Sequence, residues 1–342
     1  MAERMTGSVG RAAALAGAVT IALLAPAVRP AGAGGSNYGV APGARPDFQG
    51  RIQEWPVPTP QFARDPAPGP DGNIYVTVMG GDKIARFDPR TQAFTEWALP
   101  RGAHPHGLLV DRAGRVWYTG NGNGTIGELD PATGRVTEHR VPGGGDPHTI
   151  VVDGRGVLWF TIQSGQRIGR LEPATGRITE YRTRGNPYGI AVDRSGVVWF
   201  CQFGGDRLGR LDPESGRITE LALPAGSRPR RMAVAPDGRL WVTLYGTGKL
   251  LEVDPAAQRV VKEHPLPAGP GGGPYAVTVD GAGIVWANEI QTDTVVRLDP
   301  RTGALRVVAL PSKGVGIRKM VVDASGRLWY MGSHNGRLGV IE

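Results

Sequence analysis

Pro147 to Tyr181 reads PHTIVVDGRGVLWFTIQSGQRIGRLEPATGRITEY. A β-branched run comes first. Asp153 and Gly156 then supply a tight turn, because Asp bonds its own backbone and Gly accepts positive φ. VLWF is a second strand, RIGRLE a third, PATG a hairpin turn and RITEY a fourth. Four short strands with turn residues between them make one propeller blade.

The pattern recurs along the chain. Aligned on one aromatic, it gives Tyr75, Trp117, Trp159, Trp199, Trp241, Trp286 and Trp329, at spacings of 42, 42, 40, 42, 45 and 43. A period of about 40–45 residues with strand-rich content is a propeller signature. The turns recur at Asp111/Gly114, Asp193/Gly196, Asp280/Gly283 and Asp323/Gly326, and at the DP-x-x-G hairpins starting at Asp130, Asp212 and Asp299. These pairs are read as turn formers, not metal ligands. The 53 glycines and 29 prolines, about a quarter of 342 residues, fit a chain of many turns and few helices.

The expected fold is therefore all-β: a seven-bladed β-propeller with four antiparallel strands per blade. The last unit stops at RLGVIE, Arg337 to Glu342, one strand short. RIQEWPVP, Arg51 to Pro58, matches the fourth strands elsewhere. Residues 51–58 should close the last blade and remove its free edge.

Ahead of the repeats, Arg4 and Arg11 lead into the apolar run Ala12 to Val28, followed by small residues around Ala33. This reads as a signal peptide over residues 1–33. Residues 34–50 read as a Gly/Pro-rich flexible linker and 51–342 as the propeller. The expected location is periplasmic or extracellular, with no membrane span after cleavage. Cys201 stands alone, so no intrachain disulfide forms. It occupies a strand position where Thr77, Thr119, Thr161 and Thr243 recur, and is read as a core residue. The formal charge of +8 is scattered along the sequence. It permits an anionic ligand and carries no nucleic-acid motif. The chain is expected to be a monomer.

Eleven residues before each aromatic lies the start of each innermost strand, next to the central channel. That ring reads Arg64, His106, His148, Tyr188, Arg230, Tyr275 and Arg318. The loops after the aromatic strands add Asn121, Asn123, Gln163, Gln202, Phe203, Tyr245, Glu289, Gln291, Ser333 and His334. This basic, polar funnel suits a small-molecule or peptide-like ligand in the channel, above all an anionic one. A non-catalytic propeller binding an anion or a partner protein there is one functional reading. A lactone hydrolase with a channel metal is another, for which Glu289 is the one acid among these loop positions.

Units of the form PHGI, G-x-VWFT, IGRL and TG-x-ITEY resemble the virginiamycin B lyase (streptogramin lyase) family over residues 51–342. The resemblance implies a C–O lyase that opens a cyclic depsipeptide or related ester by elimination, assisted by Mg²⁺. Asp146-Pro147-His148 matches the family's acid-Pro-His motif. By that match His148 is the base, Asp146 a metal ligand and His106, one blade earlier, a substrate contact. The family's second metal carboxylate falls here on Thr161-Ile162-Gln163-Ser164, leaving Gln163 as the available oxygen. The histidine pair also lies on the second and third units, whereas in the family it lies on the last two. The positions equivalent in chain order are Tyr275 and Arg318.

Overall fold

The computed structural model describes residues 50–342. The assigned signal peptide and nearly all of the assigned linker lie outside the described residues. Seven four-stranded antiparallel sheets follow one another around a ring. The third blade is typical: Pro147–Val152, Leu158–Ile162, Arg167–Glu172 and Arg177–Arg182 pair in order. The first strands of neighbouring blades pack side by side around the axis. Among the described residues, no helix is long and apolar enough to cross a membrane.

The last blade closes as the strand count requires. Ile52–Pro56 pairs with Arg337–Ile341, with Ile52 opposite Ile341 and Trp55 opposite Leu338. Backbone bonds from Val57 to Gly336 and from Glu342 to Arg51 extend the seam at both ends.

The seven aligned aromatics are all buried, filling the space between blades. In six blades the turn aspartate also holds the aromatic. Asp153 Oδ1 accepts the amides of Arg155 and Val157, while Oδ2 accepts Trp159 Nε1 at 3.1 Å. The same indole bond runs from Trp117 to Asp111, Trp199 to Asp193, Trp286 to Asp280 and Trp329 to Asp323, and Tyr75 donates to Asp71. The turn closes through Gly156 at φ +83°, a region L side chains rarely adopt. The fifth blade has Ala235 at the aspartate position, and its Trp241 packs on His264 instead, ring centroids 5.0 Å apart.

Each innermost strand bulges at one place. In the third blade Pro147 pairs with Ile162 and Ile150 with Phe160, so His148 and Thr149 together oppose Thr161. This two-against-one step recurs in all seven blades. A bulge turns a side chain out of strict alternation. Here it turns two consecutive residues per blade toward the axis.

The residue opposite the bulge pins it. Thr161 Oγ1 accepts the Thr149 amide at 3.1 Å and donates to the Tyr188 carbonyl of the next blade, also at 3.1 Å. Thr77, Thr119 and Thr243 do the same, and Asn288 does it with its amide. The recurring threonine is thus a bulge clamp and an interblade latch in one. Cys201 fills that position in the fourth blade and is fully buried, as its sequence context indicated.

Candidate functional site

Two rings of side chains surround the axis, one from each bulge position. The first is the ring read from the sequence. Arg64, His106, His148, Tyr188 and Tyr275 are buried, and Arg230 and Arg318 are half-buried. The second consists of the following residues: Asp65, Gly107, Thr149, Gly189, Arg231, Ala276 and Lys319. Sequence reasoning missed this ring, because strict alternation would turn it away from the axis. Its signal was present: Arg230-Arg231 and Arg318-Lys319 place two cations in a row in strands that are otherwise apolar. The small members allow close approach. A Cβ on Gly189 would lie 2.6 Å from the Arg230 carbonyl and 2.8 Å from Arg231 Cα.

The second ring forms a buried charged floor. Arg231 lies 3.7 Å from Asp65 and donates to Thr149 Oγ1 at 2.9 Å. Lys319 Nζ donates to the Leu108 carbonyl at 2.5 Å. Burial pulls the Lys319 ammonium down to about 7, against the attraction of Asp65.

The histidines sit side by side, ring centroids 3.6 Å apart, and His148 contacts Tyr188 at 4.3 Å. Burial first, then the nearby guanidinium groups, holds both well below the usual histidine range, so both are neutral. His148 Nδ1 lies 3.0 Å from Thr149 Oγ1. That hydroxyl already accepts from Arg231, so its own proton is free to serve Nδ1. This assigns the ring proton of His148 to Nε2, the nitrogen left for the channel. Neither ring nitrogen of His106 has a hydrogen-bond partner among the described residues.

Cations and aromatic rings fill the remainder. Arg230 Cζ lies 4.1 Å from the ring centroid of Phe203, 4.4 Å from Tyr188, 4.5 Å from Tyr275 and 5.1 Å from Tyr245. Each such contact contributes roughly 0.5–2 kcal/mol depending on exposure. Arg318 donates to the Tyr275 hydroxyl at 3.3 Å and approaches His334 Nε2 at 3.1 Å. Phe62 lies within cation–π range of Arg64 and Arg318, 5.2 and 5.4 Å from the two Cζ atoms. Two positions ahead of Arg64 and Arg230, Phe62 and Arg228 take left-handed backbone at φ +51° and +48°. The same turn recurs at His104, Gly273 and Gly316, at φ +42°, +57° and +65°, so it belongs to the blade repeat.

The Tyr188 and Tyr275 hydroxyls are hydrogen-bonded to each other. Burial raises Tyr275, but Arg230, Arg231, Arg64 and Arg318 together outweigh it and bring it down to about 7. Burial and the neighbouring Tyr275 push Tyr188 up to about 12.

Other sequence-derived candidates are engaged in bonds of their own. One Glu289 oxygen accepts the Ala268 amide at 2.9 Å, and the side chain also bonds Thr294, so it braces a loop and pairs with none of the channel arginines. Asn123 and Gln202 bond Glu138 and Glu220 within their own blades. Asp146 Oδ1 accepts both the Ser164 amide at 2.8 Å and its hydroxyl at 2.6 Å. Gln163 is half-buried in the same turn.

These residues do not fit a Mg²⁺ ion. Among the described residues no three His, Cys, Asp or Glu side chains gather to hold a metal, and His148 is surrounded by Arg231, Arg64, Arg230 and Arg318. Mg²⁺ requires anionic oxygens and would be repelled by those cations.

Comparisons with known proteins agree with the geometry of the fold. Streptogramin B lyase superposes with a TM-score of 0.78 at 24% identity, covering 85% of this chain and 96% of the other. Virginiamycin B lyase from Staphylococcus aureus gives 0.78 at 23% identity, covering 85% and 98%. Hydrazine synthase from Kuenenia stuttgartiensis gives 0.72 at 17% identity, covering 87% and 97%. At these identities the likeness is one of fold. No curated protein sequence matches. The virginiamycin B lyase family model matches residues 43–185 and 104–342, and the chain belongs to that family.

Proposed function

We propose that this propeller is a receptor for a small anionic ligand, held at the axis by Arg64, Arg230 and Arg318 with the His148 Nε2–H as a further donor. One observation carries the reading. Among the described residues no carboxylate pairs with these three arginines, and buried guanidinium nitrogens on each have no hydrogen-bond partner. Buried cations and donors without partners are costly, and an anion supplies what they lack. The test is sulfate titration by calorimetry. Arg230→Met and Arg318→Met should each weaken binding at least tenfold, and binding unchanged in both would overturn the reading.

Family membership and the paired histidines favour a second reading, a C–O lyase acting on a cyclic ester with His148 as base in its other tautomer, the ring proton on Nδ1 toward Thr149 and Nε2 bare. Its test is cleavage of a cyclic depsipeptide, followed by mass spectrometry with and without added Mg²⁺; cleavage that His148→Ala abolishes supports it, and none under either condition overturns it. In either case we propose export through the N-terminal segment, checked by fractionating cells that express the full chain.

A further inference from the structure

We infer that Tyr275 is the funnel's resident counter-anion: as a phenolate it neutralises Arg230 and Arg318 in the free site, and it takes up a proton when an external anion binds. The first half stands on the hydrogen bonds and cations gathered around that hydroxyl. The second rests on the anion-receptor reading.

The Tyr275 oxygen receives a guanidinium N–H from Arg318 at 3.3 Å and shares a hydrogen bond with Tyr188. Arg230 stacks on the same ring at 4.5 Å. Cations and phenols from several blades surround this hydroxyl. Arg64 comes from the first blade, Arg230 and Arg231 from the fifth and Arg318 from the seventh, while Tyr188 and Tyr245 contribute phenols. No carboxylate is among these groups, and Asp65, beside Arg64, is engaged by Arg231. The other cations therefore face a pair of hydrogen-bonded phenols. Removing one proton from that pair leaves one negative charge held between two hydroxyl oxygens and a guanidinium. The pair titrates as a unit, with Tyr275 as the lower member.

An anion entering beside Arg230 and Arg318 competes with this phenolate. The complex forms when one anion binds and one proton from the buffer reforms the Tyr275 hydroxyl. Binding is then tightest where Tyr275 is already a phenol. It weakens by up to about tenfold per pH unit as pH rises through the Tyr275 midpoint.

The experiment has two arms. Ultraviolet absorbance of tyrosinate, followed against pH in the ligand-free chain, should show one of the eight tyrosines ionising at about pH 7. Tyr275→Phe should remove that step, and Tyr188→Phe should keep it with a higher midpoint. If Tyr275→Phe fails to fold, ring-labelled tyrosine in the wild type reads the same ionisation by NMR. The absence of any early tyrosine step, or its persistence in Tyr275→Phe, overturns the inference. In the second arm, sulfate calorimetry in two buffers of different ionisation heat should show uptake of up to one proton, lost in Tyr275→Phe. Sulfate binding without proton uptake overturns the second half. If sulfate does not bind at any pH but the tyrosine step is present, the receptor reading fails and the counter-anion assignment stands.

Discussion

Lys319, on the seventh blade, reaches past the first blade to bond the Leu108 carbonyl on the second at 2.5 Å. Its ammonium is buried and is lowered to about 7 by that burial. The native state thus binds fewer protons here than the unfolded chain, whose lysine titrates near 10.4. Stability from this group rises with pH between those two values. In Lys319→Met that rise should shrink by up to about 1.4 kcal/mol per pH unit, measured by urea unfolding across the alkaline range. An unchanged slope would show that Lys319 titrates normally.

His106 makes the opposite end of the pH argument. It is neutral and buried in the fold, held below the ordinary histidine range by burial and by Arg64. Below about pH 6.5 the unfolded chain takes up a proton that the native site refuses, so stability falls as pH falls. Its ring nitrogens have no partner to lose. His106→Phe should therefore reduce the acid sensitivity without lowering the melting temperature at neutral pH, as followed by circular dichroism.

Thr119 clamps the Gly107 amide at 2.7 Å and latches the His148 carbonyl at 2.9 Å. Thr119→Val keeps the shape and removes both bonds in a fully buried place. It should cost about 1–3 kcal/mol per unsatisfied group. A loss below half a kcal/mol in denaturant unfolding would mean the latch contributes little.

The closing strand offers a larger test. Deleting residues 50–57 exposes the edge of Arg337–Ile341 and uncovers Trp329, which stacks on Trp55 at 6.1 Å. The truncated chain should lose cooperative unfolding or self-associate through that edge, as read by calorimetry and light scattering. A sharp, monomeric transition would refute the role of the closure.

Much of this was legible in sequence because the repeat states the same local physics seven times. Asp153, Gly156 and Trp159 mark a turn and a core position wherever their equivalents recur, and the missing last strand points to Arg51 to Pro58. The ring from Arg64 to Arg318 followed from the spacing alone. The second ring did not. Asp65, Arg231 and Lys319 reach the axis only because a bulge breaks alternation, and a pattern built on period two cannot show that. The partners of Glu289 were hidden for a related reason. Its loop position opens toward the funnel, but its carboxylate is drawn away by the Ala268 amide and Thr294. The Asp-Pro-His motif was equally plain, yet motif spacing carries no information on what else a carboxylate bonds. Asp146 gives one oxygen to Ser164.

The pairing of Ile52 with Ile341 has a consequence in time. Six blades are built from neighbouring stretches of chain and can form as they emerge. The seventh needs residues from opposite ends of the described chain, and closing so large a loop is an entropic cost met only once. Ring closure is therefore the pairing of longest range in the described chain. Until it occurs the seven inner strands do not encircle anything, so the charged floor and the arginine funnel come into existence together, at the end.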